Sequence, residues 1–169
     1  MVGEVFKDLS AHMIKGLMVH SQMADYYRML ALPEYADCHE ERYMEESCGW
    51  RKLCKYYVDH YEKLIEEKPI DDPKVIPEDW FKATRRDVDT TTKRRAVQSG
   101  MEKWMNWEKD TLTLYQGSYK TLMDEGHVAA ALFLKKYIKD TDKELAKAME
   151  WYLHKKDVDY DITYIVNEQ

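Results

Sequence analysis

The sequence predicts an all-α protein, an antiparallel four-helix bundle with one long crossover between helices two and three. Four long stretches lack proline and repeat apolar residues with helical spacing. Short turns are predicted near residues 32–33 and near residue 126, so helices one and two, and helices three and four, should form antiparallel pairs. A length of 169 residues suits one domain, so residues 1–169 are expected to form a single bundle.

The predicted helices span residues 5–32, 33–67, 90–125 and 127–154. Pro33 suits the first turn of helix two, where its missing N–H needs no partner, and Gly126 suits the end of helix three. Three prolines in residues 68–89 predict a crossover that, at about 3.3 Å per residue, can run the length of the bundle. Residues 155–169 alternate apolar and polar side chains and predict an extended C-terminal arm.

Composition excludes several classes of function. The formal charge of -6 argues against nucleic acid as a partner. The longest apolar run, Val128 to Leu134, is too short to span a bilayer, so no membrane role is expected. The chain opens without a basic and then apolar leader, so we expect a cytoplasmic protein. Three cysteines without C-x-x-C spacing predict neither a disulfide framework nor a zinc knuckle.

Each predicted apolar stripe carries one ionisable residue near its middle: His20, Glu46, Glu108 and Asp142. At 1.5 Å per residue, all four lie near mid-height of the bundle when counted from the two turns. Three buried carboxylates would repel one another, and a divalent cation would compensate them. The sequence therefore predicts a metal site formed by these four residues.

Basic residues offer another way to neutralise the acids. Salt bridges from nearby cations could replace a metal ion, and the candidates are Arg51, Lys52, Lys109 and Lys139.

Aromatic residues off the main stripes suggest a partner surface, which predicts a homo-oligomer, a homodimer or larger, formed through helices one and two. These residues are Tyr26, Tyr56, Trp107 and Trp151. The alternative function is thus a metal-free helical bundle that acts as an oligomeric interaction or structural protein.

The layout of two antiparallel helix pairs joined by a long crossover resembles the ferritin-like superfamily, which includes ferritins and mini-ferritins of the Dps type. The patch His39-Glu40-Glu41-Arg42 is similar to the H-E-E-R patch of ferritin helix two, and Glu108-Lys109 is similar to the E-K at a ferritin ligand position. Leu32-Pro33 through His39 resembles the mini-ferritin turn into a helix-two histidine. The resemblance implies a bundle that binds iron or manganese, for metal oxidation or storage.

The sequence departs from the family pattern at ligand positions. Met44 stands where the helix-two E-x-x-H motif has histidine, and Tyr27 stands where mini-ferritins have histidine. Helix four has no E-x-x-H motif. The family motif points to Glu41 as the helix-two ligand, whereas the apolar stripe points to Glu46. These departures favour a one-metal, degenerate or vestigial site over a full di-iron site.

Whether the protein is an enzyme stays open at this point. If it is one, the resemblance implies an oxidoreductase of the ferroxidase or di-metal carboxylate type. Tyr27 or Tyr115 would then lie close enough to donate electrons.

Overall fold

The computed structural model describes residues 1–157 of the chain. The four helices are α1 (Val2–Met29), α2 (Pro33–Tyr61), α3 (Thr90–Asp124) and α4 (Val128–Asp157). The prediction of an all-α four-helix bundle is confirmed. Two short 3₁₀ turns, Glu78–Phe81 and Arg85–Asp87, lie between α2 and α3. The first three residues of the predicted extended arm belong to α4, and residues 158–169 lie outside the described part of the chain.

Both short turns form where the sequence places them. Pro33 occupies the first turn of α2. Gly126 has φ +82°, a left-handed conformation that glycine adopts without steric cost. The N–H of His127 then donates to the carbonyl of Leu122 at 2.8 Å, and the N–H of Gly126 donates to the carbonyl of Met123 at 3.1 Å. These two bonds form a Schellman motif that ends α3 and reverses the chain into α4.

Helix α2 ends at Tyr61, six residues before the predicted end at residue 67. Glu62 adopts a left-handed conformation with φ 53°, and its N–H donates to the carbonyl of Val58 at 3.0 Å. This conformation stops the helix, because right-handed helix cannot continue through it. Ile65 then packs against the apolar core from the connection instead of from α2.

The crossover runs along α1 from one end of the bundle towards the other. Lys68 Nζ donates to Asp8 Oδ1 at 2.7 Å, near the start of α1. At the other end of α1, Arg85 Nη2 donates to the carbonyl of Arg28 at 3.0 Å. Helix α3 therefore starts at the end of the bundle where α2 started, and the order is up, down, down, up.

Two apolar clusters fill the bundle on either side of a polar layer. One cluster, which includes Tyr27 and Trp104, lies towards the turn between α1 and α2. The other, which includes Leu9 and Leu134, lies towards the turn between α3 and α4. His20 lies between the two clusters along α1 and is fully buried. The polar residues of this layer form the candidate site.

The four aromatic residues that lie off the predicted apolar stripes do not form an exposed surface. Tyr26 and Trp151 are buried, and Tyr56 and Trp107 are half-buried. Their rings pack against other aromatic rings; for example, Trp151 meets Trp104 edge-on with ring centroids 5.8 Å apart. The unusual aromatic content therefore fills the interior, and it does not by itself mark a partner surface.

In the described residues, no helix combines the length and the apolar character that a bilayer crossing requires.

Candidate metal centre

Three of the four expected site residues meet in the polar layer. Nε2 of His20 lies 3.4 Å from Oε1 of Glu46 and 3.7 Å from Oε1 of Glu108. The side chains of His20 and Glu108 are fully buried, and that of Glu46 is 12% exposed. One ligand atom of each residue lies within 4.8 Å of the ligand atoms of the other two residues, which is close enough for the three to share one metal ion. Glu41, the other helix-two candidate, is exposed.

Asp142 is not brought into this group, because the predicted stripe of α4 is one residue out of register. Thr141 takes the buried position, and Asp142 turns outward and is exposed. The buried stripe of α4 continues from Thr141 to Ala148, seven residues on. Glu144 lies one turn after Thr141, with its side chain 21% exposed, and it is the α4 carboxylate that reaches the polar layer.

Arg42 supplies a cation that sequence reasoning did not assign to the site. Its Nη2 lies 3.3 Å from Oε1 of Glu46, and its Nε lies 3.5 Å from Oε1 of Glu108 and 3.8 Å from Oε2 of Glu144. The four cations considered from the sequence, Arg51, Lys52, Lys109 and Lys139, are all exposed.

Helical spacing carries the signal that would have found the missing α2 residues. His39, Arg42 and Glu46 follow the i, i+3, i+7 pattern and therefore share one face of α2.

His39 fixes the orientation of His20. The two Nδ1 atoms lie 3.0 Å apart, and His39 is buried. Burial, together with the charge on His20, holds the pKa of His39 well below its ordinary value, so His39 is neutral. We therefore assign the shared proton to His20, whose Nδ1–H donates to Nδ1 of His39. This bond leaves Nε2 of His20 directed at the two carboxylates. Histidines that bind metal ions are oriented by hydrogen bonds of the same kind, made by the other ring nitrogen.

The carboxylates outweigh burial in setting the charge of His20. Burial opposes protonation, but Glu46 and Glu108 together raise the pKa of His20 to about 9. Burial would raise the pKa of Glu46, yet His20 and Arg42 lower it. Burial raises the pKa of Glu144 despite the nearby Arg42. The layer is thus strongly coupled, and its charge balance depends on which cation lies among the carboxylates.

The distances between these donor atoms suit coordination of a divalent metal ion better than they suit direct hydrogen bonds. Across the described chain, both carboxylate oxygens of Glu108, Oε2 of Glu46 and Nε2 of His20 are buried without a hydrogen-bond partner. The ion pairs of these three residues are 3.3–3.7 Å long, whereas charge-assisted hydrogen bonds are about 2.7–2.9 Å long. Donors bound tetrahedrally at about 2.1 Å from a metal lie about 3.4 Å apart. One imidazole and two carboxylates suit iron(II), manganese(II) and zinc(II).

Gly16 of α1 leaves room for the Glu46 carboxylate. A Cβ atom at position 16 would lie 2.6 Å from Oε2 of Glu46 and 3.2 Å from Cζ2 of Trp107. Glycine therefore permits the close approach of Glu46 to the backbone of α1. No sequence motif marks this position, because its role depends on a contact between two helices.

An open groove leads from the surface to this layer. Helix α1 packs on α2 and α3, and α3 packs on α4, whereas the backbones of α2 and α4 hardly approach each other. Between α2 and α4 lies a groove of about 780 Å³ that reaches Arg42, Glu46 and Glu144. The hydroxyl of Tyr137 donates to the carbonyl of Gly49 at 2.7 Å and joins the two helices beside the groove. We call this feature the α2–α4 groove.

Comparison with known proteins agrees with this architecture. No protein-family profile matches the sequence, and no curated protein is significantly similar to it. Among solved structures, an open-pore ferritin from Archaeoglobus fulgidus matches with a TM-score of 0.75 at 13% identity, over 98% of this chain and 97% of that chain. A humanized archaeal ferritin matches with a TM-score of 0.75 at 15% identity, over 99% and 97% of the two chains. The engineered closed form of the Archaeoglobus fulgidus ferritin gives the same TM-score at 13% identity. The chain therefore has a ferritin-like fold.

Proposed function

We propose that this chain is a ferritin-like protein that binds one divalent metal ion, iron or manganese, between His20, Glu46 and Glu108, and that it serves in metal oxidation or storage. One observation carries the proposal. In the part of the chain that the structure describes, a buried imidazole nitrogen and three buried carboxylate oxygens face one another without hydrogen bonds. Leaving such groups unpaired costs several kcal/mol in total, about 1–3 kcal/mol for each. A dication would satisfy all of them at once.

Charge balance supports a single dication. Ionised Glu46, Glu108 and Glu144 carry three negative charges, and Arg42 carries one positive charge. Two negative charges remain when His20 is neutral, as it must be to coordinate a metal through Nε2. Arg42 provides the positive charge that a second metal ion would otherwise supply, so the expected stoichiometry is one ion per chain.

The resemblance to solved ferritins supports metal handling as the function. The neighbours are called ferritins, and this chain aligns with them over nearly its whole length. The His20, Glu46 and Glu108 cluster lies inside the bundle, between its two apolar clusters. A homo-oligomer, a dimer or larger, remains our expectation for the assembly.

Metal analysis of the purified protein tests the proposal. The chain is dialysed against Mn²⁺ or, without oxygen, against Fe²⁺, and bound metal is counted by elemental analysis. We expect about one ion per chain, retention in Asp142→Asn and loss in Glu108→Gln. Asp142→Asn is the matched control, because Asp142 is an exposed carboxylate outside the cluster. Equal metal content in Glu108→Gln and wild type would contradict the proposal.

A metal-free bundle is the second candidate, and Arg42 is the observation that favours it. The guanidinium already lies within 3.3–3.8 Å of three carboxylates. In that case the wild type would bind neither Mn²⁺ nor Fe²⁺ in the same dialysis experiment.

A further inference from the structure

The α2–α4 groove is far larger than a path for a metal ion requires. Its volume of about 780 Å³ lies within the range of about 300–1,000 Å³ that is typical of sites for small organic molecules. A water molecule occupies only about 30 Å³. The groove also ends at the candidate metal centre, since Arg42 and Glu46 belong to both.

The walls of the groove are apolar and aromatic. Met13 and Tyr115, which are almost fully buried, line the groove from α1 and α3. Phe133 and Tyr137 line it from α4. Met44 also lines the groove and is 63% exposed. These side chains suit the apolar body of a ligand, and methionine adapts to different shapes.

The charged groups at the rim of the groove favour an anionic ligand. Three exposed lysines, Lys52, Lys136 and Lys143, line the groove, against two exposed acids, Glu45 and Asp140. Without a metal ion the lining as a whole is neutral, because two acids at the inner end, Glu46 and Glu144, outnumber Arg42.

The inner end of the groove offers a ligand the metal centre and not a free guanidinium. Arg42 already lies among protein carboxylates, since its Nη1 donates to Oε2 of Glu45 at 3.4 Å and its Nη2 lies 3.3 Å from Oε1 of Glu46. A metal ion held by three protein donors keeps a coordination position open for a further ligand.

We propose that the α2–α4 groove binds an amphipathic organic monocarboxylate, with its apolar body against Met13, Tyr115 and Phe133 and its carboxylate at the open coordination position of the metal ion. This inference rests on the proposed function, because the bound dication brings the inner end to neutrality before the anion arrives. The metal centre would then act together with a small organic molecule.

Calorimetric titration of the Mn²⁺-loaded full chain with octanoate tests the proposal. We expect one octanoate per chain and at least tenfold weaker binding of octylamine, which has the same apolar body and the opposite charge. Removal of Mn²⁺ by a chelator should weaken octanoate binding at least tenfold, because the two ligands stabilise each other reciprocally. Octylamine binding as tight as that of octanoate would overturn the assignment.

A blocked groove provides the structural control. Cys48 is exposed and lines the groove, so Cys48→Trp places a large ring across it without disturbing a buried residue. We expect Cys48→Trp to weaken octanoate binding at least tenfold and to keep one Mn²⁺ per chain. Glu41→Trp is the matched control on an exposed α2 position outside the groove, and it should bind octanoate normally.

The two proposals fail in distinguishable ways. Unchanged octanoate binding in Cys48→Trp, or a Mn²⁺-loaded wild type that does not bind octanoate, overturns the groove proposal and leaves the metal site in place. A wild type without Mn²⁺ overturns the proposed function itself. Circular dichroism melting of both tryptophan variants verifies that they fold.

Discussion

Glu108 is, at the scale of one residue, the main reason for proposing a metal ion at the centre of this bundle. Its side chain is fully buried, and neither carboxylate oxygen has a hydrogen bond within the described residues. Arg42 and His20 lie 3.5 Å and 3.7 Å from Oε1, too far for strong hydrogen bonds. Such a carboxylate is costly unless another positive charge approaches it more closely.

Gly16 gives a prediction about the same carboxylates. A methyl group at this position would lie 2.6 Å from Oε2 of Glu46, so Gly16→Ala should displace that side chain and weaken metal binding at least tenfold. Competition with a fluorescent chelator measures the affinity. Gly117→Ala is the matched control, because nothing lies within 4 Å of a Cβ there. That variant should gain up to about 1 kcal/mol of stability and keep its metal affinity. Equal affinities in the two variants would contradict the role of Gly16.

His12 gives a prediction for the pH dependence of stability. Its Nε2 lies 2.7 Å from Oγ1 of Thr111, its ring stacks on Trp107, and burial lowers its pKa below the ordinary value of 6.5. At a pH between the two pKa values, His12 is therefore protonated in the unfolded chain and neutral in the folded chain. Stability should fall as the pH drops below about 6.5. Urea unfolding at pH 7.5 and at pH 5.5 should show a smaller loss for His12→Gln than for the wild type. An identical loss in both would contradict this reasoning.

At the scale of the element, the register of α4 shows how far sequence patterns can be trusted. The period of the apolar stripe predicts the helix, but a shift of one residue rotates every side chain by about 100°. Thr141 therefore occupies the buried position that the sequence pattern predicted for Asp142. On α1 and α3 the predicted stripes have the correct register, and His20 and Glu108 lie where they were expected.

The turn between α1 and α2 gives a second element-scale prediction. Ala31 has φ 56°, and left-handed backbone costs a non-glycine residue about 1–2 kcal/mol. Ala31→Gly should therefore raise the stability by about 1 kcal/mol and the melting temperature by about 2–4 °C. The reverse change, Gly126→Ala, should lower the melting temperature by a similar amount, because Gly126 has φ +82°. Calorimetry measures both, and a destabilised Ala31→Gly would contradict the assigned turn conformation.

At the scale of the whole molecule, the sequence predicts the bundle because both short turns and the crossover have local chemical signals, whereas the end of α2 at Glu62 has none. Pro33, Gly126 and the proline-rich crossover each act through the backbone alone. The convergence of His20, Glu46 and Glu108 could also be predicted, since it follows from helix rise and turn position. Helical spacing could also have placed Arg42 on the same face of α2 as Glu46. The contribution of Gly16 could not be predicted in this way, because it depends on how closely α1 approaches Glu46.

A metal ion in the polar layer between the two apolar clusters should affect the free energy of unfolding of the whole bundle. A metal ion that binds the folded chain alone should stabilise it by about 3 kcal/mol at a hundredfold excess over the dissociation constant. For a domain of this size, that corresponds to a rise of about 5–10 °C in melting temperature.

The most direct test compares the melting temperatures of the wild type and Glu108→Gln, each measured with Mn²⁺ and with a chelator. A rise of about 5–10 °C in the wild type and no rise in Glu108→Gln would support a metal ion bound at the polar layer. Identical melting of the wild type with Mn²⁺ and with chelator would contradict it.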